Sequence, residues 1–211
     1  MKRRAWVAHC SGAVLGLAAW GNSWGKAPRN LLVVGDSLSA EYGLARGSGW
    51  VALLEQRLQS RKSSYRVVNA SISGDTTSGG RARLPALLAQ HRPGLVVIEL
   101  GGNDALRGMP LSHTRDNLRA MVQAAKAAGA KVLLVGMQVP PNYGARYGQD
   151  FAAAFVDVAR AERVGLVPFL LSGFATRADA ESWFQPDRIH PLAKAHPLML
   201  DAVWPELSKL L

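Results

Sequence analysis

The sequence predicts an α/β protein built as a three-layer α/β/α sandwich around a five-stranded parallel sheet. Short apolar runs alternate with segments whose apolar residues recur at helical spacing. The runs are continuously apolar, which is typical of strands buried on both faces. Strand–helix alternation places helices on both sides of a parallel sheet, and we expect flavodoxin-like strand order. Residues 26–211 contain no internal repeat and no linker, so they form one predicted domain.

Five short runs, mostly rich in Val, Leu and Ile, are the predicted strands. They are too short for typical helices and are followed by polar or turn-forming residues, which favours buried strands. The predicted strands are Leu31–Val34, Val67–Ser71, Leu95–Leu100, Lys131–Val135 and Val167–Leu171.

The segments between these strands carry helical periodicity. Trp50, Leu54 and Leu58 recur at i, i+4 and i+8, which predicts one amphipathic helix. A final helix is predicted over much of Leu192–Leu211, broken or bent by Pro197 and Pro205. Similar patterns predict three further helices around Leu84, Leu87 and Leu88 (with Pro85 near the first turn), around Leu118, Met121, Val122 and Ala125, and around Phe151, Phe155, Val158 and Ala159.

The first 25 residues differ from the rest of the chain. Lys2, Arg3 and Arg4 precede an uncharged stretch, Ala5–Ala19, which is the layout of a secretory signal. The apolar stretch is shorter than the roughly 20 residues of a membrane span. We therefore expect cleavage near Gly25 and a periplasmic or secreted domain over 26–211 without a stable membrane anchor. An uncleaved N-terminal anchor is the alternative.

The chain is basic, with 25 Lys and Arg against 15 Asp and Glu and a formal net charge of +10. Its basic residues are scattered and lack interleaved aromatic residues, which argues against nucleic-acid binding. They are either solvated helix faces or a source of weak attraction toward anionic substrates or phospholipid surfaces. The single cysteine is Cys10, so residues 26–211 contain neither a disulfide nor a thiol nucleophile.

Four polar clusters stand at the places where a parallel sheet binds ligands. Gly35–Ser39, Asn69–Asp75 and Gly101–Asp104 follow the first three strands, and Asp187–Pro191 lies near the end of the chain. Each cluster alone has an ordinary turn composition. Because ligands bind beyond the carboxyl ends of parallel strands, three clusters on one sheet edge indicate a functional site.

The residue types in these clusters suit nucleophilic catalysis. A serine hydroxyl such as that of Ser37 needs a base to take its proton. His190 is a suitable base because the ordinary pKa of histidine lies near neutrality. Asp187, three residues earlier, can orient the imidazole and stabilise its charged form. The alternative role for Asp187 is a helix N-cap. We expect His91, His113 and His196 to be surface or capping residues.

These clusters resemble, in order and approximate spacing, the conserved blocks of the SGNH (GDSL) hydrolase family. The resemblance covers nearly all of residues 30–200, and the stretch Asn69–Thr76 is similar to a subgroup of bacterial periplasmic multifunctional esterases. It implies a flavodoxin-like fold, no cofactor and no metal. It also implies hydrolysis of small-molecule acyl esters and thioesters, with lysophospholipids among the substrates, through a covalent acyl-enzyme. The expected state is a monomer.

The resemblance also assigns roles to individual residues. The four family residues correspond to Ser37, Gly74, Asn103 and His190, with Asp187 completing a Ser-His-Asp triad. The backbone amides of Ser37 and Gly74 and the side-chain amide of Asn103 would form the oxyanion hole. One departure is visible: Arg188 stands where the family commonly has glycine. It leaves the triad intact but changes the charge and access beside it.

Two aspartates and two apolar residues near these blocks have less certain assignments. Asp36 and Asp104 are expected to shape loops, since no His pair at ligand spacing accompanies them to bind a metal. By resemblance, Ala105–Pro110 would be a mobile flap over the acyl chain. Leu106 and Met109 are its expected substrate contacts, with the alternative that both are core residues.

Three other functions fit parts of the sequence. An acyltransferase or a carbohydrate O-deacetylase would use the same triad. An FMN-binding module is disfavoured because the loop after the first strand lacks a Ser/Thr/Gly-rich phosphate cradle. An ordinary α/β-hydrolase is disfavoured because its nucleophile stands in G-x-S-x-G, whereas Ser37 lies in Gly-Asp-Ser-Leu-Ser.

Overall fold

A computed structural model describes residues 29–211. The predicted signal segment over residues 1–25 and its cleavage site lie outside the described residues. Within residues 29–211, no helix combines the length and apolar character needed to cross a membrane.

The central sheet has five parallel strands in the order β2-β1-β3-β4-β5, as predicted for a flavodoxin-like fold. The strands are β1 (Arg29–Gly35), β2 (Tyr65–Asn69), β3 (Leu95–Glu99), β4 (Lys131–Val135) and β5 (Gly165–Val167). Val33 pairs with Asn69 and Gly35 with Glu99, so the first three strands end almost level. This brings the polar clusters that follow them to one edge.

Residues 29–211 form six α-helices, five of which cover the two faces of the sheet. They are α1 (Trp50–Ser60), α2 (Thr77–His91), α3 (Gly102–Leu106), α4 (Leu111–Ala127), α5 (Ala145–Glu162) and α6 (His196–Ser208). Helices α1 and α6 pack together on one face, and α2, α4 and α5 pack on the other. The structure therefore has the predicted three layers.

Alternate residues of each strand enter two separate cores. In β1, Leu31 and Val33 enter the core shared with α1 and α6, whereas Leu32 and Val34 enter the core shared with α2, α4 and α5. All four side chains are fully buried. This two-sided burial is why the strand sequence is continuously apolar rather than alternating.

The predicted bounds of the fifth strand, Val167–Leu171, were wrong, because the strand spans Gly165–Val167. The strand ends at Val167, and the chain then turns, with Leu170 N–H donating to Gly136 O at 3.1 Å. Leu170 and Leu171 are nonetheless buried in the first core. Because a buried loop and a buried strand select the same residues, the apolar run alone did not separate them.

Proline positions also differ from prediction. Helix α2 begins at Thr77, capped by the Thr76 hydroxyl, which accepts from Gly79 N–H at 3.3 Å, so Pro85 lies well inside the helix. Helix α6 spans His196–Ser208, which lies within the predicted range. Pro197 occupies its first turn, where a missing N–H costs little, so it does not break the helix.

Candidate active site

Ser37 lies in a tight turn directly after β1. The turn is organised by Asp36, whose side chain accepts the backbone N–H of Leu38 at 3.0 Å and whose carbonyl accepts that of Ala40 at 3.0 Å. Asp36 is only 2% exposed. The side chain of Ser37 therefore lies at the carboxyl edge of the sheet, in a hydrogen-bonded loop. Asp36 shapes this loop, as expected from the sequence.

Ser37, His190 and Asp187 form a continuous hydrogen-bonded chain. Ser37 Oγ lies 2.8 Å from His190 Nε2, although the two residues are 153 positions apart. His190 Nδ1 lies 2.7 Å from Asp187 Oδ2. Both distances are within the range for direct proton transfer or hydrogen bonding. Tyr42 packs beside the imidazole, with ring centroids 4.2 Å apart.

Asp187 is held as a carboxylate by its own loop. Its Oδ1 accepts the backbone N–H groups of Ile189 at 2.9 Å and His190 at 3.0 Å. Burial alone would raise the pKa of Asp187, but these bonds and the contact with the His190 ring outweigh it and lower the pKa to about 2. The group beside His190 Nδ1 is thus anionic at neutral pH.

Gly74 and Asn103 face the same cleft as Ser37 and His190. Gly74 has φ +79°, a backbone angle that favours glycine. A side chain at Gly74 would meet only Arg107 Nη2, at 3.8 Å, so the backbone angle rather than crowding by protein atoms requires glycine there. Asn103 Nδ2 donates to Asp36 Oδ2 at 3.0 Å, which orients the amide and leaves one N–H for a ligand.

A buried carboxyl group beneath the Ser37 turn was missed in the sequence analysis. Glu99, at the end of β3, is 3% exposed, and its Oε2 accepts from Ser39 Oγ at 2.7 Å. Burial, with the nearby Asp36 charge, raises the pKa of Glu99 well above its ordinary value. Burial likewise raises the pKa of Asp36 to about 6, against hydrogen bonds from Leu38 and Asn103. An acidic residue inside the apolar run Leu95–Leu100 was the available signal.

Of the two roles expected for His196, surface residue or capping residue, the structure shows the capping role. His196 is 2% exposed, and its Nδ1 accepts Trp50 N–H at 3.0 Å, capping the first residue of α1. Burial lowers its pKa to about 4, so the neutral ring that this bond requires is present at neutral pH. Of the other two histidines, His113 is exposed and His91 is half-buried at the end of α2.

Asp104 shapes a loop, as expected from the sequence. Its carboxylate accepts Thr77 N–H at 2.9 Å and also contacts the hydroxyls of Thr77 and Thr114. These bonds join the start of α2 to α3 and α4. Among residues 29–211, no group of three or more His, Cys, Asp or Glu side chains is arranged to hold a metal ion.

The Ser37 hydroxyl opens into a cleft of about 840 Å³. Leu106 lines the cleft and is 50% exposed. Met109, the other expected substrate contact, is not among the described residues that line the cleft; its N–H donates to Asp104 O at 2.9 Å. The cleft extends away from Ser37 along mostly apolar side chains, namely Met137, Val139, Pro140, Pro141, Tyr143, Phe151, Phe169 and Leu171.

Comparison with known proteins places this geometry in a family. Residues 33–198 match the GDSL-like Lipase/Acylhydrolase family. The chain belongs to this family. It is 55% identical to Esterase TesA of Pseudomonas aeruginosa over 185 residues, covering 88% of this chain and 90% of that protein. It is 45% identical to Thioesterase 1/protease 1/lysophospholipase L1 of Escherichia coli K12 over 180 residues, covering 85% and 84%.

A crystal structure of TesA has the same fold. The two structures superpose with a TM-score of 0.83 at 55% sequence identity. The superposition covers 87% of this chain and 100% of the TesA chain. The family resemblance inferred from the polar clusters is thereby confirmed. This GDSL-family chain is a hydrolase acting on ester bonds.

Arg188 lies between Asp187 and His190, in the loop that carries both residues. It has φ +57°, in the left-handed region that glycine adopts without strain. The Arg188 side chain is 75% exposed, lines the cleft and lies 3.7 Å from the exposed Glu181 carboxylate. The backbone of the loop thus keeps the glycine-like conformation while presenting a positive charge beside His190.

Proposed function

We propose that this protein is an exported serine hydrolase that cleaves carboxylic esters and thioesters, lysophospholipids included, through a Ser37–His190–Asp187 triad. The observation that carries the proposal is the unbroken hydrogen-bonded chain from Ser37 Oγ to the Asp187 carboxylate, positioned at the mouth of an apolar cleft. The two relatives are named as an esterase and as a thioesterase/lysophospholipase, and these activities support the proposed substrate range.

Acylation begins at Ser37. His190 Nε2 takes the hydroxyl proton as Oγ attacks the acyl carbon, and the ionised Asp187 stabilises the imidazolium that forms. The tetrahedral intermediate then collapses, and the bond to the leaving oxygen or sulfur breaks. His190 gives its proton to that leaving group, which departs as an alcohol or thiol and leaves the acyl group on Ser37.

Three donors would stabilise the negative oxygen of the tetrahedral intermediate. They are the backbone N–H groups of Ser37 and Gly74 and the free N–H of Asn103 Nδ2. Because Asp36 already holds the other N–H of Asn103, the donor is oriented before substrate binds. Preorganised donors of this kind stabilise the transition state without reorganising during the reaction.

Deacylation reverses the roles with water. His190 takes a proton from water, the hydroxide attacks the acyl-Ser37 carbonyl, and the proton returns to Ser37 as the carboxylic acid leaves. The same donors hold the second oxyanion. No cofactor enters any step.

The shape of the cleft favours fatty acyl groups over acetyl groups. Its walls beyond Ser37 are largely apolar, and Leu106, Tyr143 and Phe151 are among them. Such a surface gains binding energy with each buried methylene of the substrate, at roughly 0.8 kcal/mol per CH₂. This supports an esterase and thioesterase of lipid-like substrates over a carbohydrate O-deacetylase with the same triad.

We also propose that residues 1–25 direct export to the periplasm or beyond and that residues 26–211 act as a monomer. The support for export is the basic start and uncharged stretch of the signal-like segment. Mass spectrometry of the protein purified from a periplasmic fraction would measure the mature N-terminus, expected near Lys26.

The test of the nucleophile is labelling with a fluorophosphonate probe. Ser37→Ala should abolish labelling and lower kcat for ester hydrolysis by about 10⁶, the order found for removing a catalytic serine. Ser73→Ala, which changes another serine that lines the cleft, should keep both. Labelling that persists in Ser37→Ala would rule out this assignment.

The same proteins should then be assayed against a substrate panel. We expect kcat/KM to rise from acetyl to octanoyl p-nitrophenyl esters, because longer chains bury more of the apolar cleft. Activity greatest on acetylated sugars would instead favour the O-deacetylase alternative, and transfer to an added alcohol over water would favour an acyltransferase.

A further inference from the structure

Most of the large exposed apolar side chains in residues 29–211 lie at the edge of the sheet where the cleft opens. Residues 29–211 contain six large apolar side chains that are exposed, and four of them come from separate loops or helix ends at the carboxyl edge of the sheet. We call these four the rim patch: Tyr42, Ile72, Leu106 and Ile189, with exposed fractions of 49, 53, 50 and 44%. Single exposed apolar residues are ordinary, but a contiguous group marks an interaction site.

A substrate in the cleft explains only part of this exposure. Tyr42, Leu106 and Ile189 line the cleft, so a bound acyl ester covers them in part. Ile72 is the most exposed of the four and is outside the cleft wall, although the next two residues, Ser73 and Gly74, belong to it. Hydrolysis of a small ester therefore gives no reason for an exposed isoleucine at this position.

Two arginines flank the rim patch. Arg107 Nη2 donates to Gly74 O at 2.7 Å, which places its guanidinium beside the loop that carries Ile72. Arg188 precedes Ile189 and projects from the triad loop. The one carboxylate paired with Arg188, Glu181, is 3.7 Å away and is 81% exposed, so this ion pair is weak in water. The opening is thus ringed by apolar side chains with cations beside them.

We propose that the rim patch, with Arg107 and Arg188, docks this protein reversibly onto the surface of an anionic phospholipid bilayer. Apolar side chains would enter the boundary between headgroups and acyl chains, and the guanidinium groups would meet lipid phosphates. A lipid surface fits better than a protein partner because three of the four patch residues also line the apolar cleft. An acyl chain could then pass from bilayer to cleft without crossing water.

This docking goes beyond the proposed ester hydrolysis and does not depend on Ser37. The Ser37→Ala protein is therefore the parent for the binding experiment, since it leaves the lipids intact. It would be sedimented with phosphatidylcholine vesicles that either contain or lack phosphatidylglycerol. We expect binding to the vesicles with phosphatidylglycerol, weakened by added salt as phosphate contacts are screened, and little binding to phosphatidylcholine alone.

The decisive comparison is between two matched substitutions in that parent. Ile72→Ser should weaken vesicle binding about tenfold, the scale of losing one buried aliphatic side chain. Val156→Ser changes an exposed apolar residue on α5 outside the cleft wall and should leave binding unchanged. Arg188→Gln should reduce the salt dependence. With Ser37 present, Ile72→Ser should hydrolyse a soluble butyryl ester at the rate of the unsubstituted protein.

Three results would overturn the proposal. The first is a parent that fails to bind phosphatidylglycerol vesicles, and the second is an Ile72→Ser variant that binds as tightly as Val156→Ser. The third is a dimer, observed by sedimentation velocity, that Ile72→Ser dissociates, which would make the patch an interface between two copies. A failure of the triad assignment would show separately, as ester hydrolysis that survives Ser37→Ala.

Discussion

Replacing Asp187 by asparagine separates two roles that this carboxylate combines. Asp187 Oδ1 accepts the N–H groups of Ile189 and His190 and so shapes the loop, whereas Oδ2 contacts His190 Nδ1 at 2.7 Å. The amide oxygen of asparagine can keep both backbone bonds. Its NH₂ group would then face Nδ1, and since NH₂ only donates, it favours the imidazole tautomer protonated on Nε2.

That tautomer presents a proton to Ser37 Oγ instead of a lone pair, so His190 can no longer act as base across the 2.8 Å contact. The same exchange in serine proteases lowers kcat by about 10⁴, which corresponds to about 5 kcal/mol of transition-state stabilisation. The free energy of unfolding should change by less than about 1 kcal/mol, because the altered contact with His190 is partly exposed and the loop bonds remain.

The assay is kcat for a soluble p-nitrophenyl ester at about pH 8, with Tm followed by circular dichroism. Asp187→Ala is the companion variant: it removes the loop bonds as well and should lower both kcat and Tm. If Asp187→Asn keeps kcat within about tenfold of the kcat of the unsubstituted protein while Tm is unchanged, the tautomer argument is refuted.

Two further predictions concern Asn103 and His196. Asn103→Ala should lower kcat by about 10²–10³ with little change in KM, because the donor acts mainly in the transition state; an unchanged kcat would remove Asn103 from the oxyanion hole. His196→Ala leaves the buried Trp50 N–H without its acceptor and should cost about 1–3 kcal/mol in urea unfolding, with soluble-ester kcat retained. Because burial lowers the pKa of His196 to about 4, the unfolded chain takes up this proton first, so the parent should lose stability as pH falls from about 6.5 toward 4. The variant should show less of this slope, and identical slopes would contradict the buried neutral ring.

The fold class followed from local patterns because two-sided burial leaves a direct trace in sequence. The run Lys131–Val135 was predicted with the bounds it has in the structure, since it opens on the charged Lys131 and Gly136 follows it. The run Val167–Leu171 was misjudged, because Leu170 and Leu171 are buried by a turn that packs on the first core. Burial determines residue type, whereas hydrogen bonding to a neighbouring strand determines strand length. Only burial can be recognised from a short stretch of sequence.

The sequence by itself determined the family, the strand order expected for it and the polar residues gathered at one sheet edge. Only the tertiary structure brought Ser37 Oγ to within 2.8 Å of His190 Nε2 and showed Glu99 as a buried acid beneath them. It also placed Met109 outside the cleft and Ile72 on an exposed rim. Distances and pKa values depend on groups far apart along the chain, so they arise only when the layers pack together.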